Sequence, residues 1–584
     1  MISFKNKHNR QSRQACRTAI AALLGLSALT ACSDWDDHYD ANTAITGSQQ
    51  ASLWQNIKNN GELSQFAELL KKAGYDQRLD ASQTYTVWAP LNNTFGYDQL
   101  NAASNDRLVK QFLQNHIARN NYPATGNFDK KIYMLNEKMM HFTGNNGYTI
   151  QGIPVGQVNV GSSNGTLHTV SSQIPFLANI YESLNNEQFA IDSVSNYYHA
   201  YDVSTLDETQ SVPGPIVDGE QTYLDSIRYE DNTLTRTFRA YINREDSNYT
   251  MIVPTNESWG KLRERIRKCY NYLPTFRYMR STAAGTDTTI IVTLKDASQF
   301  SDSISSYMLM KNLTFNNNIY DNTKLNTLQE GQALACDSLV STTNDRIFGD
   351  DCRNLFANAK RVSKSNGAFW VTDDLNMLEW NAWNPEITVE AEDFVYKTAN
   401  VGESRSVRVT SSNQNPAVSG YISENTYFEA HPNTPNDHPD VFIHLPQVRS
   451  TEYNVYLVMA PGNIVSTQAE HKPNSMGIYM RTCDETGKLK NEETLRNPID
   501  GTTAFITSEE ARIDTLFLGT YTFPLAYYGT GENYPYIRVR SRFSSANSGK
   551  FDRTLRVDCV ILRPKALDEY MQSHPGYKYH KHNY

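Results

Sequence analysis

Cysteine is scarce in this 584-residue chain: seven in all, and no two form C-x-x-C. That absence makes a zinc ribbon or a thioredoxin-like redox motif unsupported. Beyond residue 31 no run of 18 or more apolar residues occurs, so nothing reads as a transmembrane helix. Excess positive charge is missing too, with 54 Lys and Arg against 63 Asp and Glu and a formal charge of −9. Nucleic-acid recognition needs a basic face, so no nucleic-acid partner is expected. Catalytic signatures are equally thin. Gly161-Ser162-Ser163-Asn164-Gly165 formally fits G-x-S-x-G. A nucleophile elbow runs from strand to helix, whereas Thr166–Val170 continues as a strand. Gly529-Thr530-Gly531 lacks a phosphate-loop lysine, and no H-E-x-x-H helix accompanies His431, Asp437, His438, Asp440 and His444. That histidine group, interrupted by prolines, reads as a surface loop.

What is present begins at the N-terminus. Lys5, Lys7, Arg10, Arg13 and Arg17 precede a run of small and apolar residues from Ala19 to Ala31, an n-region and h-region too short to span a bilayer permanently. Leu29-Thr30-Ala31-Cys32 closes it. This ending resembles the lipobox of bacterial lipoproteins, which implies that residues 1–31 are a signal peptide. It also implies that Cys32 becomes the acylated first residue, carrying palmitate-type chains. Removing 1–31 leaves 49 basic against 63 acidic residues, a formal charge of −14. That balance leaves the acyl chains, not electrostatics, as the membrane anchor. Residues 32–52 are polar, open on the acidic Ser33-Asp34-Trp35-Asp36-Asp37, and read as a flexible tether. Acids placed so are similar to the surface-export signal of certain Gram-negative bacteria, which implies an outer-membrane lipoprotein facing the cell exterior.

Residues 53–178 and 179–379 read as a repeated unit. In the first, Leu63, Phe66, Ala67 and Leu70 have helical spacing, and Gly74 offers a stop. A strand follows at Tyr85–Ala89. Leu108, Val109, Phe112, Leu113, His116 and Ile117 form the apolar stripe of a second helix, and Asn164-Gly165 sets a tight turn into the strand Thr166–Val170. His116 and His168 read as core histidines satisfied by backbone. Thr86-Val87-Trp88-Ala89-Pro90-Leu91-Asn92-Asn93-Thr94-Phe95, Asn115-His116-Ile117 and Asn164-Gly165-Thr166-Leu167-His168-Thr169-Val170 resemble, in order, the signatures of fasciclin domains, with Trp88 in place of the usual phenylalanine. A weaker copy carries Tyr249–Trp259 and Ser365–Val371; its second signature, at Tyr307, Leu309, Asn312 and Leu313, has no histidine. Insertions fall near 203–235 and 280–300, where contact loops are expected.

From Glu386 the pattern becomes short alternating strands separated by turn residues, the pattern of an antiparallel sandwich over 386–566 with a solvated tail at 567–584. Val389-Glu390-Ala391-Glu392 and Arg556-Val557-Asp558-Cys559-Val560-Ile561-Leu562 are similar to the first and last strands of galactose-binding-like jelly rolls, the fold of many carbohydrate-binding modules. That resemblance implies a structural calcium held by Glu390, Glu392 and Asp558, whose hard oxygens suit it; otherwise these are exposed acids on edge strands. Trp380 and Trp383 lie just before the sandwich, and Tyr521, Tyr527, Tyr528, Tyr534 and Tyr536 cluster late. They are sugar-stacking candidates or ordinary sheet residues. Of the five cysteines after Cys32, Cys336 and Cys352 are near enough in sequence to pair, unless they are buried single thiols.

The expected protein is multidomain, two α+β fasciclin-like domains followed by an all-β jelly-roll sandwich. It is expected to be no enzyme and to need no cofactor beyond that calcium. The architecture resembles accessory lipoproteins of SusC/SusD-type uptake systems, which implies oligosaccharide or transporter partners. Fasciclin domains elsewhere imply adhesion as the alternative.

Overall fold

The computed structural model describes residues 50–580, apart from 106, 186–187, 207, 210–211, 218, 226–227, 281–287, 466–470, 497–500, 502–504 and 527–534. Cys32, the leader and nearly all of the tether lie outside the described residues. The chain divides into two compact units, Met1–Ala178 and Asn179–Tyr584.

In the first unit the helix Leu53–Asn59 starts at Ser52, whose hydroxyl caps the Gln55 N–H at 3.2 Å. Ser64–Lys72 buries Phe66, Ala67, Leu69 and Leu70, the stripe set by their spacing. Gly74 then takes φ +72°, a left-handed stop with open space around it. The strand Tyr85–Pro90 is buried throughout and pairs in parallel with Gly165–Val170, flanked by Ile117–Arg119 and Val160–Ser162. A second four-stranded sheet, Phe128–Pro154, closes over Trp88. The apolar stripe at 108–117 is not one helix. Arg107–Leu113 is a π-helical turn, Gln114–His116 a 3₁₀ turn, and β-branched Ile117 already pairs with Val87 in the sheet.

The Asn-Gly pair does more than turn the chain. Gly165 sits at φ +145°, where a Cβ would fall 1.8 Å from the Tyr85 carbonyl oxygen. Buried Asn164 accepts from the Leu53 N–H at 2.8 Å and donates to the Leu79 carbonyl at 2.8 Å, tying the helix layer to the sheet. The second unit repeats this atom for atom. Gly367 would place a Cβ 1.9 Å from Tyr249 O, and Asn366 accepts from Ile180 N–H at 2.9 Å and donates to Ile242 O at 2.7 Å. Its sheet has the same order: Tyr249–Pro254 lies between Thr314–Asn316 and the parallel Gly367–Thr372, with Ala359–Lys364 outside. Two α+β fasciclin-like domains are therefore present. The insertion near 203–235 is a pair of hairpins, Asp202–Leu206 with Arg228–Asn232 and Val212–Val217 with Glu220–Asp225, and Thr275–Arg280 pairs with Thr288–Thr293.

An all-β jelly-roll sandwich follows. One sheet runs Val401–Arg408, Thr426–Pro432, Leu555–Pro564, Glu452–Met459, Asp514–Thr522, with Ile387–Glu390 also on Leu555–Pro564. The other runs Val395–Ala399, Asp440–His444, Tyr536–Ser541, Ser475–Arg481, Glu493–Thr494. Alternate residues such as Val441, Ile443, Ile537, Val539, Val455 and Leu457 fill the core between them.

The C-terminal stretch is not a solvated tail. Lys565–Ser573 is a helix whose Asp568 accepts from Asn454 and from the Tyr456 hydroxyl at 2.8 Å. Farther on, the Tyr577 hydroxyl donates to Asp351 at 2.7 Å and accepts from Trp380 Nε1 at 2.8 Å. Trp380, and Trp383 in the core of the second unit, are buried and offer no stacking platform.

Candidate functional site

Two places in the sandwich bring chemistry-bearing side chains together. The first is where its opening and closing strands meet. Glu390 pairs with Cys559 across the ladder; Asp558 lies on Leu555–Pro564, which has neighbours on both sides, and Glu390 and Asp558 are both buried, whereas Glu392 is half-buried. Opposite Glu452–Met459 the register slips between Leu457↔Val560 and Met459↔Val557, so Asp558 and Cys559 share a bulge. A bulge breaks the in–out alternation and re-aims side chains. Here the carboxylates of Glu390 and Asp558 and the Cys559 sulfur come within 4.8 Å of one another, the one such group among the described residues. Glu392 falls in the helical turn Ala391–Phe394, because the strand ends at Glu390; it stands outside that trio, and its Oε2 is buried with no hydrogen-bond partner. Ser423 donates its N–H to Asp558 at 3.1 Å and its hydroxyl to Glu390 at 2.7 Å.

The electrostatics follow from the burial. Loss of water, then the charges of Glu390 and Glu392, push the Asp558 carboxyl up to about 8, while the Ser423 N–H pulls the other way. Burial, with Glu390 next among the repelling charges, pushes Glu392 up to about 7. Hard oxygens, crowded negative charge and an orphaned carboxylate oxygen fit a divalent cation such as calcium; the thiolate-type ligand Cys559 does not add to that fit.

The second place is the outward side of the other sheet. Where Val441 and Ile443 face the core, Asp440, Phe442 and His444 lie on the opposite face of the sheet, each buried beneath neighbouring side chains. Tyr396, 42% exposed, stacks on His444 with ring centroids 3.4 Å apart. Arg538 beside them is held by Asp440 at 2.8 and 2.6 Å and by Glu492 at 3.1 Å, and Glu492 also accepts from the Tyr536 hydroxyl at 2.7 Å. The guanidinium lies over Phe442 at 5.0 Å and over Tyr479 at 5.1 Å. A fixed, planar donor group beside an exposed aromatic ring can engage hydroxyl-rich, ring-shaped ligands. Of these residues only Tyr536 is a sugar-stacking candidate in the sequence; Asp440 and His444 are singled out there only as part of the histidine-rich stretch. Tyr396 and Arg538 sit on the strands flanking Asp440–His444, each against the ring of Phe442, an arrangement set by sheet order alone, although alternation with Val395, Ile537 and Val539 marks the outward positions. Tyr521 lies on Asp514–Thr522 of the opposite sheet, and Tyr527, Tyr528 and Tyr534 lie outside the described residues.

The remaining candidates disperse. His116 bonds Phe112 O at 2.7 Å and Ile174 N–H at 2.9 Å; His168 bonds Tyr122 O at 3.0 Å and Asn159 N–H at 3.3 Å. Both are satisfied by backbone, and burial lowers each to about 4. His431 bonds Glu429, His438 approaches Arg553, and Asp440 holds Arg538, so the histidine-rich stretch forms no metal cluster. Gly161 and Ser162 lie on a strand that pairs with Gly165–Val170, a hairpin and not a nucleophile elbow.

Residues 61–175 match the Fasciclin domain family. Among solved structures, the chain is similar to the FAS1 domain pair of the insect cell adhesion molecule fasciclin I, 12% identical, covering 55% of this chain and 99% of that one at a TM-score of 0.19. It is also similar to the C-terminal family 22 carbohydrate-binding module of Clostridium thermocellum Xyn10B, 10% identical over 30% of this chain and 91% of that one, TM-score 0.18. A family 35 carbohydrate-binding module from the same organism is 12% identical over 30% and 96%, TM-score 0.15. No curated protein matches.

Proposed function

We propose that this chain is a non-catalytic surface lipoprotein whose sandwich binds glycan. The observation that carries the reading is the exposed Tyr396 ring, backed by His444, beside an Arg538 already immobilised by Asp440 and Glu492. Sugar faces stack on such rings, and a pre-fixed guanidinium spends little entropy in donating to hydroxyls. Acylation at Cys32 holds the protein on the outer membrane facing the cell exterior, and a SusC/SusD-type transporter is the partner that would use captured oligosaccharide. Glu390 and Asp558, with Glu392 nearby, hold a structural calcium that joins the first and last strands of the sandwich. A glycan array probed with the full chain tests the reading: bound but unhydrolysed oligosaccharide supports it, and an empty array or released product sinks it.

Adhesion is the second reading, favoured by one feature. The hairpin Val212–Val217 in the inserted piece carries Ile216 and Val217 exposed at 70% and 51%. Apolar side chains displayed on a projecting hairpin suit a protein contact. Loss of cell binding on deleting residues 203–235, with the glycan array empty, would favour adhesion; unchanged cell binding would dismiss it.

A further inference from the structure

Cys336 and Cys352 meet at the ends of one small motif. Cys336 lies two residues before the strand Ser338–Val340, which pairs antiparallel with Arg346–Phe348, and Cys352 sits in the helix Gly349–Asn354 that follows directly. Because the hairpin folds back on itself, the residues flanking it converge. The two sulfurs lie 2.8 Å apart, both residues buried. The neighbouring residues Leu334, Leu339, Ile347 and Leu355 belong to the core of this unit, so the site is preorganised by packing. We infer that Cys336 and Cys352 form a disulfide that staples this hairpin to its helix.

The chemistry balances with a disulfide oxidant such as glutathione disulfide. Before the core closes, either cysteine can supply the attacking thiolate. With Cys336 first, its Sγ attacks one glutathione sulfur and expels a glutathione thiolate. Cys352, giving up its proton, then attacks Cys336 Sγ in the mixed disulfide and expels the second. Two protein thiols are oxidised, one glutathione disulfide is reduced to two glutathione molecules, and two protons pass to them. Both sulfurs are buried in the folded domain, so the exchange belongs to folding, before the core closes.

The staple has a consequence for the C-terminal segment. Asp351, beside Cys352, accepts from the Tyr577 hydroxyl and from Asn381 Nδ2 at 2.6 Å. Fixing this helix fixes the acceptor on which the end of the chain is held.

Trypsin separates the two cysteines, since cleavage at Lys324, Arg346 and Arg353 places them in peptides 325–346 and 347–353. The full chain is refolded with glutathione disulfide, quenched with an alkylating agent under denaturing conditions, and digested without reductant. Mass spectrometry is expected to find these peptides joined, and a reductant to lower the Tm of wild type but not of the Cys336→Ser, Cys352→Ser double variant. Recovery of both peptides singly alkylated overturns the inference. If the double variant fails to fold, the peptide map of wild type decides alone.

Discussion

At the scale of single residues, this chain spends glycine and histidine where geometry leaves few choices. Gly165 must approach the Tyr85 carbonyl more closely than any side chain allows, whereas Gly74 has empty space around it. Gly74→Ala is therefore expected to cost only about 1–2 kcal/mol, the ordinary left-handed penalty. Gly165→Ala must push its strand away from Tyr85–Pro90 and should cost well beyond that in denaturant unfolding; equal costs would refute the account. His116 and His168 are held neutral by burial, titrating near 4 in the fold against an ordinary value near 6.5. Between those values the unfolded chain holds more protons than the fold. Their contribution is thus complete above about pH 6.5 and is lost as pH falls toward 4, at most about 3 kcal/mol for each histidine. Thermal melts from pH 7 to 4 should show this slope, and His116→Asn should flatten it.

At the scale of elements, what could be read from sequence depended on whether a signal was local. The Asn-Gly turns, the strand-proline pattern and the alternating strands of the sandwich are local, and each occupies the place its residues demand. The π turn at Arg107–Leu113 was not legible, since Leu108, Phe112 and Ile117 keep a helical stripe whether or not the helix widens. Nor was the bulge at Asp558 and Cys559, which depends on the partner strand Glu452–Met459. That bulge sets which acids come within reach of the proposed ion. The folded Asp558 and Glu392 carboxyls lie near 8 and 7, above those of an unfolded chain near 4. Without a cation, stability is present at low pH and is lost as pH rises through that window. Calcium must displace the same protons, so its stabilising Tm shift should be larger at pH 8 than at pH 5. Asp558→Asn should abolish the shift. A calcium response absent at pH 8 would rule out the proposed ion.

Across the whole molecule, the repeated fasciclin-like frame explains itself: the same asparagine, glycine and parallel strand pair recur in both units. The C-terminal helix and Tyr577 add a return of the chain onto Asp351 and Trp380, a contact no sequence pattern announced because its partners lie some 200 residues apart. The face proposed to bind glycan was illegible for the same reason: Tyr396, His444 and Arg538 come from three strands that only the sheet order makes adjacent. Its claim is also the easiest to break. Isothermal titration of an array-selected oligosaccharide into the full chain is expected to give a Kd between about 1 μM and 1 mM, spanning about −8 to −4 kcal/mol. Tyr396→Ala should leave the chain folded, with a small fall in Tm from the lost packing on His444, and weaken binding at least about tenfold, equivalent to about 1.4 kcal/mol. Binding that survives Tyr396→Ala and Arg538→Gln undiminished would contradict this site.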